Sequence, residues 1–435
     1  MNMVDIIIKK RNGGCLTKEE IDFFVMGYTE GNIPDYQVSA LLMAIYFQGM
    51  TRSEIFQLTE AMRLSGDSMD LSMINGIKVD KHSTGGVGDK ITLVATPIVA
   101  ACGVPIAKLS GRGLGFTGGT IDKLESIPGF RTSVDPEDFF AQVNRIGIAV
   151  AGQTAKVAPA DKKIYGLRDV TGTVDILSLI ASSIMSKKLS SGSDAIVLDV
   201  KSGEGAFMKT EEDAEELANI MCDIGADAGK RTVAAVTDMS EPLGYAVGNS
   251  LEVIEAIETL KGNGPKDILE ISITLSGLMI FAGEKAKSFE EGKNLAEEAL
   301  ESGKALAKFR EFIQAQGGNP NVVDDYSIFP KAKEEFYVKS SKTGYIHNIH
   351  AETIGYASER TGAGRRTKDE EIDPAAGIVL KKKIGDYVKE GEVLVVLYSD
   401  DIAKLKEGAE MAERAFSIDE NHKTKTSKII KIMGI

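Results

Sequence analysis

The chain has 435 residues, 43% hydrophobic and 26% charged, a balance that excludes disordered and fibrous classes and, at roughly 150 residues per domain, points to two or three domains. Its 51 Lys and Arg against 64 Asp and Glu leave a formal net charge of −13. That field repels phosphate backbones and anionic membrane surfaces, so neither nucleic acid nor membrane is an expected partner, and an anionic ligand has to be captured by a local basic site. Three widely spaced cysteines, Cys15, Cys102 and Cys222, match neither metal nor redox spacing and favour a reduced, cytoplasmic setting. Met1 to Arg11 carries no long apolar run with a small-residue cleavage site, so no secretory signal is expected. Ile271 to Ala282, the most apolar stretch, falls short of the ~20 residues of a membrane span and reads as a buried helix.

Residues 1–66 read as an antiparallel helical domain. Thr17-Lys18-Glu19-Glu20 and Thr51-Arg52-Ser53-Glu54 are capping boxes, and Val38, Leu41, Leu42, Ile45 and Tyr46 form a helical stripe ended by Gly49. From Ile77 short apolar runs alternate with longer helical ones. Strands are expected at 77–79, 105–109, 148–151, 195–200 and 232–236, with helices at about 89–102, 136–145, 175–188, 211–228 and 249–262. This α/β grammar implies a mostly parallel sheet over 75–161 and 193–330, with 162–192 packing back onto the helical domain. Residues 266–316 read as mostly helical up to the break at Gly317-Gly318-Asn319-Pro320. Residues 331–435 alternate apolar and polar positions around glycine turns, which suggests a small C-terminal β-rich (α+β) subdomain. Within it, 384–397 is similar to the half-barrel of biotinyl and lipoyl carriers but shows no lysine on an obvious exposed hairpin, and it is treated as structural.

Two glycine clusters carry the chemistry. Asp80-Lys81-His82-Ser83-Thr84-Gly85-Gly86-Val87-Gly88-Asp89 lies between a predicted strand and a predicted helix. Glycines there let backbone N–H groups approach an anion, Lys81 adds a charge and Ser83 and Thr84 add hydroxyls, while the Gly-Lys-Ser or Gly-Lys-Thr close of a Walker loop is missing. Lys108 to Thr120 forms a second donor-rich loop at the end of a strand. Its Gly113, Gly115 and Gly118, with Asp135 further on, satisfy a dinucleotide fingerprint, but Ser110 to Arg112 intervene after the strand, and two such loops suit one compact oxyanion better than a pyrophosphate. His82 lies inside the anion loop, where an imidazole titrating near neutrality can donate to a leaving group. His347 and His350 have no neighbours to complete a metal-ligand set. In a third region Ser183 and Lys187, four apart on one helix face, could join Arg168 in offering a hydroxyl, an ammonium and a guanidinium to the carbonyl edge of a planar ligand, against the plainer reading of two solvated helical faces.

These segments resemble the pyrimidine-nucleoside phosphorylases, the family that includes thymidine phosphorylase. Lys81 to Asp89 looks like its phosphate loop and Ser110 to Glu125 like its long signature. The likeness continues through Ala160-Asp161-Lys162-Lys163, Arg168-Asp169-Val170-Thr171, Lys187-Lys188-Leu189 and Gly205-Ala206-Phe207-Met208-Lys209, covering essentially the whole chain. The resemblance implies reversible attack of phosphate, a co-substrate, on C1′ of a pyrimidine nucleoside, without an organic cofactor or a covalent intermediate. It assigns Lys81, His82, Ser83, Thr92, Lys108, Leu109, Ser110 and Thr120 to phosphate, and His82, Arg168, Ser183 and Lys187 to the base as the catalytic set. It also implies a homodimer joined through the helical domain, closure of a cleft between the helical and α/β domains, and in some members a structural potassium ion, here at Gly88, Lys90, Leu243, Ala246 and Glu255. Lys108 matches the branch that accepts uridine as well as thymidine. Three positions depart from the family pattern: Lys90 stands where threonine is common and puts a cation where an ion would bind, Phe116 replaces histidine, and Glu204 replaces a small residue. An anthranilate phosphoribosyltransferase-like enzyme, an NAD-dependent oxidoreductase built on the second glycine cluster, and a binding-only protein are the competing expectations.

Overall fold

Both capping boxes close where the spacing predicts them. Thr17 starts α2 and Thr51 starts α4, each hydroxyl accepting from the backbone three residues on while Glu20 or Glu54 returns to the cap. The computed structural model describes residues 1–113, 115–153, 156–367, 370–422, 424 and 426–435. Helices α1 (Met3–Arg11), α2 (Lys18–Thr29), α3 (Asp35–Gln48) and α4 (Arg52–Leu64) make the helical domain, with Gly49 ending α3 at φ +68°. Ile6, Phe24, Leu41 and Ile45 centre its core, which Ala160, Ile164 and Leu179 from two later helices complete. Those helices are therefore part of the same apolar unit, because neither layer buries its stripe alone.

The α/β part runs β1 (Val79–Ser83), α5 (Ile91–Ala101), β2 (Ile106–Ser110), α6 (Thr120–Glu125), α7 (Pro136–Ile146) and β3 (Ile148–Gly152). Next come the two returning helices, α8 (Pro159–Thr171) and α9 (Leu177–Ser190), and then β4 (Ala195–Ser202), α10 (Glu211–Asp227), β5 (Arg231–Asp238), β6 (Ala246–Val247) and α11 to α14 (Asn249–Leu260, Lys266–Ala282, Phe289–Glu301, Lys304–Ala315). The last part contains β7 (Glu334–Lys339), β8 (Gly344–Ile349), α15 (Ala351–Ser358), β9 (Gly377–Leu380), β10 (Tyr387–Val388), β11 (Val393–Ser399), α16 (Ile402–Arg414), β12 (Phe416–Asp419) and β13 (Ile429–Met433). The protein is thus a helical domain, a large α/β domain with a mostly parallel sheet and a β-rich C-terminal part.

Strands β1, β4 and β5 pair in parallel, with Ser83 opposite Asp199 and Asp199 opposite Ala235. β2 and β3 form a second parallel pair beside β1, joined to it through the Val79 N–H and the Pro105 carbonyl at 3.3 Å. The chain moves outward from β1 to β2 and β3 and then returns to the other side for β4 and β5, so the crossover direction reverses between β1 and β4. In open α/β sheets such a reversal leaves a crevice at the carboxyl ends of the strands. The apolar α12 is buried along most of its length, and no helix among the described residues is long and apolar enough to cross a membrane.

Two differences from the sequence reading bear on the site and on the sheet edge. β1 continues to Ser83, four residues beyond the expected end, because the charges of Asp80 and Lys81 are buried and paired rather than solvated. At the other end of the chain, β13 leaves the small β-rich part and pairs antiparallel with β5, covering backbone groups that would otherwise form an open edge.

The opposite edge is covered by side chains. Gln316, just after α14, accepts from the Val150 N–H at 3.0 Å, donates to the Val150 carbonyl at 2.9 Å and also donates to the Arg131 carbonyl, while Gln142 donates to the Ile148 carbonyl at 2.9 Å. The Gln316 amide thereby pairs with β3 as a neighbouring strand would. Gln316→Leu strands buried donors and acceptors, and a loss of about 2–3 kcal/mol is expected, read as a lower midpoint in denaturant with faster hydrogen exchange at Val150; an unchanged midpoint would refute the edge role.

Candidate functional site

The carboxyl ends of β1, β2 and β4 meet at a lattice of buried charges. Asp80 is 1% exposed and accepts from Lys108 at 3.1 Å on one oxygen and from Lys188 at 2.7 Å on the other. Burial opposes its ionisation, but the two ammonium groups outweigh that and hold its carboxyl at about 2. Lys108 also donates to the Lys81 carbonyl, so its ammonium fills the place of a ladder donor where β1 and β2 separate. Burial first, then Lys188 and Lys81, lower Lys108 to about 8 against the pull of Asp80.

On the other flank of β1, Lys81 and Lys201 share Asp199, with Nζ to Oδ2 distances of 3.3 and 2.7 Å. The Lys81 ammonium is buried and makes no aligned hydrogen bond to any described residue. Burial raises Asp89, but Lys81, Lys201 and Lys123 prevail and hold its carboxyl far below the carboxylate range, where it accepts from the Ser83 hydroxyl at 2.6 Å. Four lysines, Lys81, Lys108, Lys188 and Lys201, thus face three aspartates, Asp80, Asp89 and Asp199. The surplus positive charge is enclosed in low dielectric, where one oxyanion restores balance.

The residues expected to hold phosphate lie on these strand ends and on the helices that follow them. Lys81, His82 and Ser83 end β1, Lys108, Leu109 and Ser110 end β2, Thr92 is in the first turn of α5, and Thr120 opens α6. Lys123 of α6 donates to the Asp89 carbonyl at 2.7 Å and pairs with Glu252 at 2.8 Å, tying the two loops together. His82 departs from the sequence expectation of titration near neutrality. Burial, then the fields of Lys188, Lys108 and Lys187, hold it well below its ordinary range despite Asp80, so at neutral pH it is an uncharged imidazole with one N–H to donate.

The second group lies on α8 and α9. Lys187 donates to Asp161 at 2.5 Å and to the Ser183 hydroxyl at 2.9 Å, and the neighbouring Lys188 is the residue that reaches Asp80. Helix α9 therefore sets the ammonium–hydroxyl pair at the edge of the oxyanion lattice. Arg168 is buried and donates to the carbonyls of Thr173, Val174 and Leu179, which orders the turn into α9. Asp80, Asp161, Lys188, Asp199 and Lys201 were not assigned to the site from sequence. The signal available for the β4 pair was two charges inside the otherwise apolar run Ala195 to Val200 and its continuation.

The remaining expected positions are less uniform. Lys90 is fully buried and its Nζ donates to the Leu243 carbonyl at 3.1 Å, the Ala246 carbonyl at 2.7 Å and Glu255 at 2.5 Å. Phe116 packs against Tyr356 with the rings tilted by 51° and centroids 5.3 Å apart and approaches Phe207 at 6.3 Å, while Glu204 accepts from Asn348 at 3.1 Å, so both departures from the family pattern contact the C-terminal part. In the glycine fingerprint, Leu114 lies outside the described residues, the Gly113 N–H donates to Asp122 at 2.7 Å, and Asp135 caps α7. His350 starts α15 and accepts from Thr353, and no group of three or more His, Cys, Asp or Glu suited to a metal occurs among the described residues. A separate cavity of about 870 Å³ is lined by Glu241, Glu255, Asp267, Lys383 and Lys428, and carries none of the expected phosphate or base residues.

Comparison with known proteins follows the same division. Residues 4–66 match the glycosyl transferase family helical bundle domain, 75–306 the glycosyl transferase family a/b domain and 345–419 the pyrimidine nucleoside phosphorylase C-terminal domain. Pyrimidine-nucleoside phosphorylases from Geobacillus stearothermophilus and Bacillus subtilis (strain 168) are 57% and 58% identical over 400 residues, 92% of either chain, and that of Staphylococcus haemolyticus is 56% identical over 421 residues, 95% of this chain and 97% of the relative. The crystal structure of anthranilate phosphoribosyltransferase from Thermus thermophilus shares the fold, with a TM-score of 0.58 at 21% identity, covering 72% of this chain and 99% of that one. At such identity along more than nine-tenths of its length, the chain belongs to the pyrimidine-nucleoside phosphorylase family of glycosyl transferases.

Proposed function

We propose that the chain catalyses reversible phosphorolysis of uridine, thymidine and deoxyuridine, giving the free pyrimidine and the pentose 1-phosphate. The observation that carries this reading is the adjacency of Lys187 and Lys188 on α9. One bonds Asp80 in the charge lattice and the other bonds Ser183 and Asp161, which supports a nucleophile site and a base site sharing one rigid element.

In this reading phosphate is held by Lys81, Ser83, Thr92, Lys108, Ser110 and Thr120, with Leu109 lining the site. The C1′–N1 bond lengthens, its electron pair moves onto the pyrimidine, and the sugar becomes oxocarbenium-like. A phosphate oxygen then bonds C1′. Charge building on the base is met by the Lys187 ammonium, the Arg168 guanidinium and the Ser183 hydroxyl, with neutral His82 donating its N–H, and the phosphate anion flanks the sugar cation. Asp161 aims the Lys187 ammonium. Lys108, Ser83, Lys187 and Arg168 are each hydrogen-bonded before the substrate arrives, so little reorganisation of these groups is needed in the transition state. Closure of the helical domain toward the sheet brings the two reactants together and expels competing water. No organic cofactor enters any step.

A homodimer through the helical domain completes the reading. It is supported by Val4 and Ile8 on α1 and by Met43, Tyr46 and Phe47 on the adjoining α3, all apolar and exposed, with Phe47 74% exposed. The three cysteines are free thiols, which supports the reducing, cytoplasmic setting.

Three measurements test the reading. Lys187→Ala is expected to lower kcat for uridine, thymidine and deoxyuridine alike by roughly 10²–10³, followed by release of free base in the presence of phosphate with His82→Ala beside it; near-native rates would remove Lys187 from the base site. Because Lys108 is depressed to about 8, it is charged below that pH and neutral above it, so kcat/KM for phosphate falls about tenfold per unit on the alkaline side. A flat profile from neutrality to well above that value would take Lys108 out of the phosphate site. Ile8→Lys with Phe47→Glu is expected to halve the mass seen by light scattering, and an unchanged mass would place the interface elsewhere.

A further inference from the structure

Lys90 is the residue just before α5, and its side chain is fully buried. Its ammonium has three protons, and each meets an oxygen: the carbonyls of Leu243 and Ala246 and a carboxylate oxygen of Glu255. The other oxygen of Glu255 accepts from the Tyr245 N–H at 2.8 Å, so the carboxylate is locked in position by the same loop. Gly88, at φ +72°, lies so close that a Cβ there would be 2.5 Å from the Leu243 carbonyl oxygen, and the Leu243 N–H donates to the Val87 carbonyl at 3.0 Å. The ammonium is therefore the centre of a junction. It joins the end of the oxyanion loop, helix α11 through Glu255, and β6, which pairs with β9 of the C-terminal part.

Two carbonyls and a carboxylate make the kind of oxygen shell that a hard cation takes. The residues that the family resemblance assigns to potassium do not fit that ion in this chain, because the Lys90 ammonium already lies within 3.1 Å of the oxygens from Leu243, Ala246 and Glu255. A second cation in the same shell would meet a like charge in low dielectric, with the Glu255 carboxylate already paired to Lys90. We propose that Lys90 is a tethered replacement for the monovalent cation: its side chain clamps the oxyanion loop to the 243–246 loop, and the fold and the activity of this chain are independent of potassium.

The test compares the native chain with Lys90→Thr, which removes the tethered charge and restores a hydroxyl. For the native chain, Tm is expected to be the same in potassium, sodium and choline chloride at equal ionic strength, and equilibrium dialysis with thallium(I) to find no bound ion. Lys90→Thr is expected to have a lower Tm in choline chloride, to recover part of the loss in potassium chloride, and to bind one thallium ion per chain. A native Tm that rises in potassium over choline, or one thallium bound to the native chain, would overturn the proposal, as would a folded Lys90→Thr with native Tm in choline chloride. Should Lys90→Thr fail to fold in every salt, the native-chain dialysis decides alone. Unfolding and ion binding are read without turnover, so the result stands apart from the phosphorylase reading.

Discussion

Asp80 is the group on which the site depends. It is a buried carboxylate on the central strand, and it holds Lys108 of the neighbouring strand on one oxygen and Lys188 of a helix from the other lobe on the second. Removing it would leave two ammonium groups facing each other in low dielectric, a situation that typically costs about 3–5 kcal/mol. Buried ion pairs of this sort contribute little net stability compared with an apolar core, because desolvation consumes most of the attraction. Their effect here is geometric. A carboxylate shared by two elements fixes the separation of those elements and keeps positive charge in place before any anion arrives.

The same economy extends across the site. Asp199 serves Lys81 and Lys201, Asp89 draws on three lysines, and Glu252 holds the lysine that bonds the Asp89 carbonyl. Asp80, Asp89 and Asp199 are each shared between lysines, so the lattice carries surplus positive charge although the chain as a whole is strongly acidic. The net charge of −13 repels polyanions, while the local surplus of ammonium groups attracts a small anion. His82 is held neutral by its burial first, and then by the same field, since lysines on several sides disfavour the imidazolium.

The C-terminal part is fastened to this machinery at several points. Arg365 pairs with Asp122 at 2.9 Å, and its carbonyl accepts from the Gly115 N–H. Lys383 reaches Asp267 and Glu241, and β6 and β9 place an edge of the C-terminal sheet against the loop that Lys90 grips. Phe116 and Glu204, which differ from the family pattern, face this same part. Both departures therefore lie where the signature loop and the loop after β4 meet the C-terminal part.

Periodicity and capping made the elements legible in the sequence. The capping boxes at Thr17 and Thr51, the stop at Gly49 and the glycine clusters after β1 and β2 depend on local backbone chemistry, which needs no distant partner. The chemical character of the site was legible for the same reason, as hydroxyls, ammonium groups and glycines sit together within short segments. What depends on segments far apart in the chain was decided only by the tertiary structure. β1 extends through Asp80 to Ser83 because Lys108 of β2 and Lys188 of α9 neutralise its charge, and the His82 imidazole is neutral because burial first, and then the fields of Lys188, Lys108 and Lys187, disfavour its charged form. β13 crosses back to β5, and Lys90 finds its acceptors more than 150 residues away. Residue type and spacing determine which groups can bind or donate; their charge state and their partners follow from burial and from neighbours that only folding supplies.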